Sequence, residues 1–518
     1  MNQSNVGFLD LPNEILLLIL KKLSKMDILY SLLDVDHQRL DIIVQEKTFT
    51  NTLNFVLTTL TDDIFSLPDT IVDRFCTTIL PRIHHNVKSL IVDSVSIERI
   101  LLVGDYPNLT ELKLYNFNRK VVSQYFTDQS PLRRIFQQQI TNLILVFKTD
   151  LNKISVKQYT IDVYEYILKF FENLKDLSIM RSDSCYFPLL QLHDLPLTTF
   201  FSSTLNKLCI QVMSFQDCLA LLGGRLKQLN TLIVDISSME YPSSTIYNMD
   251  DLPNLKYFSL KSFYCLTNDY DTMILPLFRR MSNLEELTLY IIVHNRTIFI
   301  DGTHIYNEIL IHMPRLHIFN FYISTRARMD SLVRHLSKDE IQRTLNNNIK
   351  YQQVDCIVNY EHDLVKCHVF SIPFMFEDLD NIGNIFPSII FSHVRRLSVQ
   401  DDVPFKHEFF NRIAFSFPLL NELYVGNFNP QSSISDEWNS NDNQLCSIVT
   451  YPYLISLHLI DVHIDYVDQF LNERKSHLPR LTELTIDYNQ LIIVTDNFTR
   501  DATRLNCIKV KELNIYKK

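Results

Sequence analysis

Glycine is scarce in this chain of 518 residues and occurs only seven times. Loops that bind phosphate groups need closely spaced glycines, because their backbone amides must approach the ligand. The scarcity therefore argues against nucleotide-binding loops, and the motifs of serine hydrolases and zinc proteases are missing as well. We predict no catalytic residue, no metal and no cofactor, and a protein that is not an enzyme.

Cysteine pairs, basic clusters and long apolar runs are also missing. The nine cysteines are dispersed without a C-x-x-C pair, which is typical of reduced thiols. The net charge is −10 and the basic residues are scattered, so neither nucleic acid nor a membrane is expected as a partner. No apolar run is long enough to span a bilayer, and no secretory signal pattern is visible. We expect a cytoplasmic or nuclear protein, or both.

Residues 9–40 combine three short helix patterns with one apolar face, and the third helical pattern continues to Val44. Pro12 suits the first turn of a helix, and Ile15, Ile19 and Leu23 follow at helical spacing. Ser24 with Asp27 predicts a capping box, in which the hydroxyl and the carboxylate both accept from amides at the start of a second helix. Such short helices bury too little surface to be stable alone. They must pack on the rest of the chain or bind another subunit.

This segment resembles an F-box, in which a Leu-Pro pair precedes aliphatic pairs and an aspartate near the second helix. In that family the apolar face binds the Skp adaptor of a cullin-based ubiquitin ligase, so the resemblance implies a role as a substrate receptor. The alternative is an amphipathic bundle that packs only on its own protein. The resemblance implies that the adaptor is bound by Leu11, Pro12, Ile15, Leu16, Ile19, Leu20, Leu23, Asp27, Leu32 and Val35.

The phrase L-x-x-L-x-L recurs from residue 87 onward, for example in PNLTELKL from Pro107 and SNLEELTL from Ser282. Successive copies lie roughly 22 to 34 residues apart. The second half of the phrase alternates with the period of a strand, while intervening segments such as 160–173 have helical spacing. Units of this kind must stack in order to bury their apolar faces. The pattern resembles the helix-bearing class of leucine-rich repeats.

We therefore predict an α/β fold with an N-terminal three-helix F-box followed by an α/β leucine-rich-repeat solenoid, or horseshoe. The predicted boundaries are 1–47 for the F-box, 48–86 for a helical linker and cap, and 87–518 for the solenoid. An irregular insert lies near 325–390. Its segments QQVDCIVNY and KCHVFSIPF form either a hairpin or part of two or three degenerate repeats.

Strand residues that flank the buried leucines are predicted to face a target protein. Tyrosine recurs at these positions, and it suits an interface because it gives contact area at low entropy cost. Ordinary strand propensity explains the same recurrence. The candidates are Glu111, Lys113, Tyr115, Tyr257, Lys261, Glu286, Tyr290, Asn320, Tyr322, Glu422, Tyr424, Glu483 and Asp487.

Two further features suggest sites. Trp438, the only tryptophan, lies in a polar segment and either anchors a partner or packs on its own chain. Cys356, His362, Cys367 and His368 are close in sequence, but their spacing fits no standard zinc site. We predict buried thiols and surface histidines there.

The two resemblances together imply a substrate-recognition subunit of a cullin-type ubiquitin ligase. It would bind a Skp-type adaptor, and through it a cullin, at one end and an unknown protein target along the repeats, so that the target undergoes ubiquitin-dependent degradation. The alternative is a leucine-rich-repeat scaffold for protein interactions without a ligase role.

Overall fold

The computed structural model describes residues 8–58, 64–147, 155–181, 189–193, 195–238, 252–266, 269–332, 336–431 and 448–516. Trp438 therefore lies outside the described residues. The chain divides into two compact units, Met1–Ser259 and Leu260–Lys518.

The strands of the described residues are numbered in chain order. They are β1 (Thr52–Asn54), β2 (Val56–Thr58), β3 (Ile64–Ser66), β4 (Ser89–Asp93), β5 (Glu111–Phe117), β6 (Asn142–Phe147), β7 (Asp176–Arg181), β8 (Lys207–Ser214), β9 (Thr231–Ser238), β10 (Tyr257–Leu266), β11 (Glu286–His294), β12 (Ile318–Arg328), β13 (Gln353–Glu361), β14 (Leu364–Ile372), β15 (Asp378–Ile382), β16 (Arg396–Gln400), β17 (Glu422–Asn427), β18 (Val449–Thr450), β19 (Ser456–Val462), β20 (Ser476–His477), β21 (Glu483–Asp487) and β22 (Glu512–Tyr516).

The α-helices of the described residues are numbered in the same way. They are α1 (Asn13–Leu20), α2 (Lys25–Leu32), α3 (Gln38–Val44), α4 (Lys47–Thr50), α5 (Asp69–Arg74), α6 (Leu80–Ile83), α7 (Ile97–Leu101), α8 (Arg119–Tyr125), α9 (Val156–Tyr159), α10 (Tyr166–Phe170), α11 (Phe215–Ala220), α12 (Leu275–Arg279), α13 (Gly302–Glu308), α14 (Lys338–Asn348), α15 (His407–Ser416), α16 (Ile464–Leu471), α17 (Tyr488–Thr495) and α18 (Arg504–Cys507). Turns of 3-10 helix lie at Phe8–Asp10, His84–Asn86, Leu310–His312, Met329–Ser331 and Asp501–Thr503, and π-helical turns at Phe75–Ile79, Ile135–Gln139, Thr160–Glu165, Leu221–Arg225 and Tyr270–Ile274.

The first unit contains a run of parallel strands in chain order. β1 pairs with β4, and β4 to β9 follow one another, each parallel to the strand before it. The register aligns the central apolar residue of each repeat, as in Leu90 opposite Leu112 and Leu112 opposite Leu143. These leucines are buried, because alternate strand residues point to the same face. The strand assignments read from the repeats are therefore confirmed.

The second unit contains both parallel and antiparallel strands. β11 and β12 are parallel, whereas β14 is antiparallel to β12 and forms a hairpin with β13. The hairpin interpretation of the insert near 325–390 is thus confirmed. The sheet that follows is parallel in the order β15, β16, β17, β19, β21, β22. Its central leucines are again in register, from Leu397 to Leu484.

The predicted fold class is wrong beyond its α/β character. A horseshoe needs one series of similar strand–helix repeats from residue 87 onward, but the described strands form a mostly parallel twelve-stranded sheet and a six-stranded sheet. The larger sheet already begins at β1, before residue 87, and it includes the antiparallel hairpin. The N-terminal segment contains four short α-helices and a 3-10 turn instead of a clear three-helix F-box. The repeat pattern specifies each strand locally, but it does not specify which strands share a sheet.

Candidate functional site

Helix α1 has a buried face and an exposed apolar face. Leu16 and Leu20 are buried. On the other side, four aliphatic residues are between 40% and 61% exposed. Their spacing of three and four residues places them along one side of the helix and the turn after it. We call this set the α1 apolar surface, and it consists of Ile15, Leu18, Ile19 and Leu23.

The other residues predicted to bind the adaptor are distributed around this surface. Leu11 and Leu32 are half-buried, whereas Pro12, Asp27 and Val35 are exposed. Ser24 accepts a hydrogen bond from the amide of Asp27 at 3.4 Å, so one of the two bonds of the predicted capping box is confirmed. Leu16 and Leu20 are buried in the core, unlike the other residues predicted to bind the adaptor, and they position the helix.

Arg39 holds the segment that leads into the first residue of α1. Its guanidinium donates to the carbonyl of Leu9 and to Asn13 Oδ1, both at 2.7 Å, and also to the carbonyl of Leu11. Three acceptors that would otherwise need water are thereby held by one planar group. Sequence reasoning missed Arg39, because its acceptors are distant in the chain and no local pattern links them.

A polar network lies on one face of the parallel strands in the second unit. Lys261 Nζ lies 2.7 Å from Asp378 Oδ2, and Arg396 Nε lies 2.5 Å from Asp378 Oδ1. Asp378 and Arg396 are directly opposite in the register of β15 and β16. Burial raises the pKa of Asp378, but the Arg396 hydrogen bond and the Lys261 charge outweigh it and hold that pKa below its ordinary value. Asp378 is therefore a carboxylate clamped by two cations.

The network continues on β17 and β19. Tyr424 donates its hydroxyl hydrogen bond to Glu422 Oε1 at 2.5 Å, and His458 Nε2 lies 3.1 Å from the same oxygen. The Tyr424 and His458 rings stack with centroids 4.0 Å apart. The hydrogen bond with His458 lowers the pKa of Glu422 despite its partial burial. Burial, and then the bond to Glu422, raise the pKa of Tyr424.

An exposed aromatic ring lies beside the clamp. Phe263 is 48% exposed, and Lys261 Nζ is 4.7 Å from the centre of its ring. Such a ring offers apolar contact area next to fixed charges. We call the whole set the sheet-face network, and it consists of Lys261, Phe263, Asp378, Arg396, Glu422, Tyr424 and His458.

Three of the predicted target-binding residues belong to this network, namely Lys261, Glu422 and Tyr424. Glu483 lies in the same register row, two strands beyond Glu422. Sequence reasoning missed Phe263, Asp378, Arg396 and His458. Arg396 and His458 flank central leucines as the chosen residues do, so a reading of the same position in every repeat would have found both.

The remaining predicted target-binding residues fall into two groups. Partly exposed ones are Glu111, Lys113, Tyr115, Tyr257, Glu286 and Asn320. Tyr290, Tyr322 and Asp487 are buried, so their predicted exposure is wrong. Tyr322 bonds to His368 on β14 at 2.9 Å, and Asp487 accepts from the amides of Asn489 and Gln490 as the cap of α17. Because these side chains are used inside the protein, they cannot contact a target.

Removing the shared carboxylate of the clamp is expected to destabilise the second unit. Asp378→Ala leaves Lys261 and Arg396 without their common acceptor, and the free energy of unfolding should fall by about 2 kcal/mol. Denaturant titration measures this change. The matched control is Asp363→Ala, whose pair with Arg328 is largely exposed at 3.2 Å and should contribute less than about 0.5 kcal/mol. Equal effects of the two substitutions would contradict the clamp.

The Glu422 carboxylate predicts a pH-dependent contribution to stability. Because its pKa is lower in the folded state than the ordinary 4.5, its stabilisation is complete above that ordinary value and is lost as the pH falls through the lowered one. Glu422→Gln should therefore remove about 1 kcal/mol at neutral pH and nothing at low pH. Urea unfolding at several pH values tests this, with Tyr424→Phe as the variant that keeps the His458 contact. A difference between wild type and Glu422→Gln that does not change with pH would exclude this account.

The cysteines and histidines of the insert do not form a metal-binding group. In the described part of the chain, no cluster of three or more His, Cys, Asp or Glu side chains is arranged to hold a metal ion. Cys356 and Cys367 are buried, and burial raises the pKa of Cys356 to about 12. His368 is also buried, contrary to the predicted surface position, and burial lowers its pKa to about 3. These are neutral core groups at physiological pH.

No helix among the described residues combines the length and apolar character needed to cross a bilayer.

The comparisons with known proteins add no family assignment. No protein-family model matches the chain, and a search of curated proteins finds no significant match.

Proposed function

We propose that this chain is the substrate-recognition subunit of a cullin-type ubiquitin ligase in the cytoplasm, the nucleus or both. Its N-terminal helices would bind a Skp-type adaptor, and a face of its parallel strands would bind the target. The observation that carries the proposal is the α1 apolar surface. Three aliphatic side chains of α1, with Leu23 in the turn after it, stand exposed, whereas Leu16 and Leu20 of the same helix are buried. Such an arrangement suits a helix that is anchored in its own protein and docks on another one.

The exposed parts of those four side chains set the free energy that burial against an adaptor would supply. Burying an aliphatic side chain completely is worth about 1.5 to 3 kcal/mol. Because each of the four is already partly covered, full burial against an adaptor would add about 1 kcal/mol per residue. The sum of about 4 kcal/mol is roughly half of the net free energy of a micromolar complex, so further contacts must supply the rest and offset the entropy lost on association.

The sheet-face network supports the second half of the proposal. It presents paired charges of both signs, a tyrosine hydroxyl and an exposed phenylalanine ring on β10 of the larger sheet and on four strands of the six-stranded sheet. Surfaces of this composition suit a protein target, in which aromatic anchors supply area and charge pairs supply orientation. This chain would not itself make the covalent bond between ubiquitin and the target. It would raise the effective concentration of the target beside the activated ubiquitin.

Direct binding of the adaptor tests the proposal. The full-length chain is mixed with a purified Skp-type adaptor, and isothermal titration with size-exclusion chromatography measures the complex. We expect a one-to-one complex with a dissociation constant of about 10 μM or tighter. No complex at adaptor concentrations well above that value would remove the ligase role. An interaction scaffold without a ligase function would then be the better description.

A further inference from the structure

The last described strand, β22, forms an open edge of the six-stranded sheet. It pairs only with β21 among the described residues. The amide of Glu512 donates to the carbonyl of Thr482 at 3.1 Å. Because alternate residues of a parallel strand turn their backbone groups to opposite sides, Leu513 and Ile515 direct their N–H and C=O groups to the open side. This edge is able to pair with one more strand.

The apolar layer behind this strand is also uncovered. Leu513 and Ile515 stand in register with Leu484 and Ile486, which are buried. In β22 the same positions are 42% and 45% exposed. The layer of side chains that covers every earlier strand of this sheet is therefore missing beside β22 in the part of the chain that the structure describes. More exposed apolar side chains lie on the elements between β21 and β22, at Ile493, Phe498, Leu505 and Ile508.

A cavity of about 510 Å³ opens beside this edge. Its wall includes Leu491, Val510 and Leu513, and its polar lining contains Arg504 and Lys511. Both cations are exposed, and among the described residues neither forms a salt bridge at 4.0 Å or less. The third cation of the lining, Arg500, is already paired with Asp468 at 2.6 Å. One acidic residue, Asp501, shares the lining, so the lining carries a net positive charge although the chain carries −10.

We propose that this edge binds an extended, apolar segment of another protein that carries acidic side chains. The segment adds a strand beside β22 and places apolar side chains over Leu513 and Ile515. Its carboxylates lie opposite Arg504 and Lys511. Charge complementarity selects an acidic occupant, because Arg504 and Lys511 give the lining of the cavity a net positive charge. Strand addition supplies affinity through the main chain, and the charges supply specificity.

Two synthetic peptides test the proposal on the full-length chain. Each is labelled and has about ten residues, with valine and serine alternating in the middle and two charged residues at each end, which are glutamates in one peptide and lysines in the other. Fluorescence anisotropy is expected to show that the glutamate peptide binds about tenfold tighter or more. Arg504→Glu combined with Lys511→Glu should reverse this preference. The control is Lys175→Glu combined with Lys207→Glu, which changes the charge equally at exposed positions of the first unit and should leave the preference unchanged.

A backbone variant tests the strand pairing separately. Ile515→Pro removes an amide that points to the open side, where proline is tolerated in an edge strand. Binding of the glutamate peptide should weaken by about tenfold. Circular dichroism checks the fold, and if this variant unfolds, the charge reversal at two exposed side chains decides alone. Equal affinity for both peptides, or no reversal by the charge variant, would overturn the proposal. So would a dimer in sedimentation that Ile515→Pro dissociates, because the occupant would then be a second copy.

Discussion

Under the proposed function, replacement of Ile19 and Leu23 by lysine is expected to abolish binding of a Skp-type adaptor while the chain stays folded. Both side chains belong to the α1 apolar surface, and they are 40% and 56% exposed. In a complex each substitution would bury an ammonium group without a partner in place of an aliphatic side chain. The combined loss should exceed about 3 kcal/mol, which corresponds to a loss of affinity of more than about 100-fold. Titration calorimetry of the full-length variant with the purified adaptor measures it.

The matched control for this prediction is Leu102→Lys. Leu102 is an aliphatic residue of the same unit and is 53% exposed, and it lies directly after α7, where a cation is favourable. Adaptor affinity and melting temperature should both remain close to those of the wild type. If the double lysine variant bound the adaptor as tightly as Leu102→Lys does, the α1 apolar surface would not be the adaptor site and the proposed function would fail.

Gly302→Ala is expected to lower the free energy of unfolding of the second unit by more than about 3 kcal/mol. Gly302 is the first residue of α13, where this helix touches the backbone of α14. A Cβ atom there would lie 2.3 Å from the carbonyl oxygen of Thr344 and 2.4 Å from the amide nitrogen of Leu345. Both are main-chain atoms inside a helix, so the clash can be relieved only if the two helices move apart. That movement would also break the bond between the Gly302 amide and Thr344 Oγ1, now 3.0 Å long.

Gly426→Ala provides the comparison within the same unit. Its nearest neighbour would be Gln400 Cγ at 3.5 Å, an ordinary van der Waals contact. Its effect should stay within about 0.5 kcal/mol. Urea titrations of both variants, followed by circular dichroism, measure the difference. A Gly302→Ala protein as stable as Gly426→Ala would show that the two helices do not approach each other in this way.

The strands were the most predictable part of the fold. Leu112, Leu143 and Leu457 were identified because apolar residues that alternate along the chain must point to one face of a strand. The start of α2 was equally local, because Ser24 needs only the amide of Asp27, three residues away. Each of these features is decided by neighbours within one element, so the sequence alone is sufficient.

The sites were only partly predictable. Glu422 and Tyr424 were predicted because they occupy the strand positions on either side of the buried Leu423, and Tyr424 is indeed exposed. The same rule failed for Tyr290 and Tyr322. Tyr322 packs on Phe374 and bonds to His368 of the hairpin, and Tyr290 packs against Tyr322 and Phe376. Alternation along a strand gives the direction of a side chain, but it does not say whether a later part of the chain covers it.

The amino-acid sequence by itself determined where strands form, which residues of each strand face the core, and that α1 carries more aliphatic residues than one buried face can hold. Only the tertiary structure decided that Leu16 and Leu20 are covered while Ile15, Ile19 and Leu23 are not. It also decided that Lys261, Asp378 and Arg396 meet although Lys261 and Asp378 are 117 positions apart. The physical reason is the range of the interactions. Periodicity and capping act within a few residues, whereas burial and charge pairing depend on segments brought together by the whole chain.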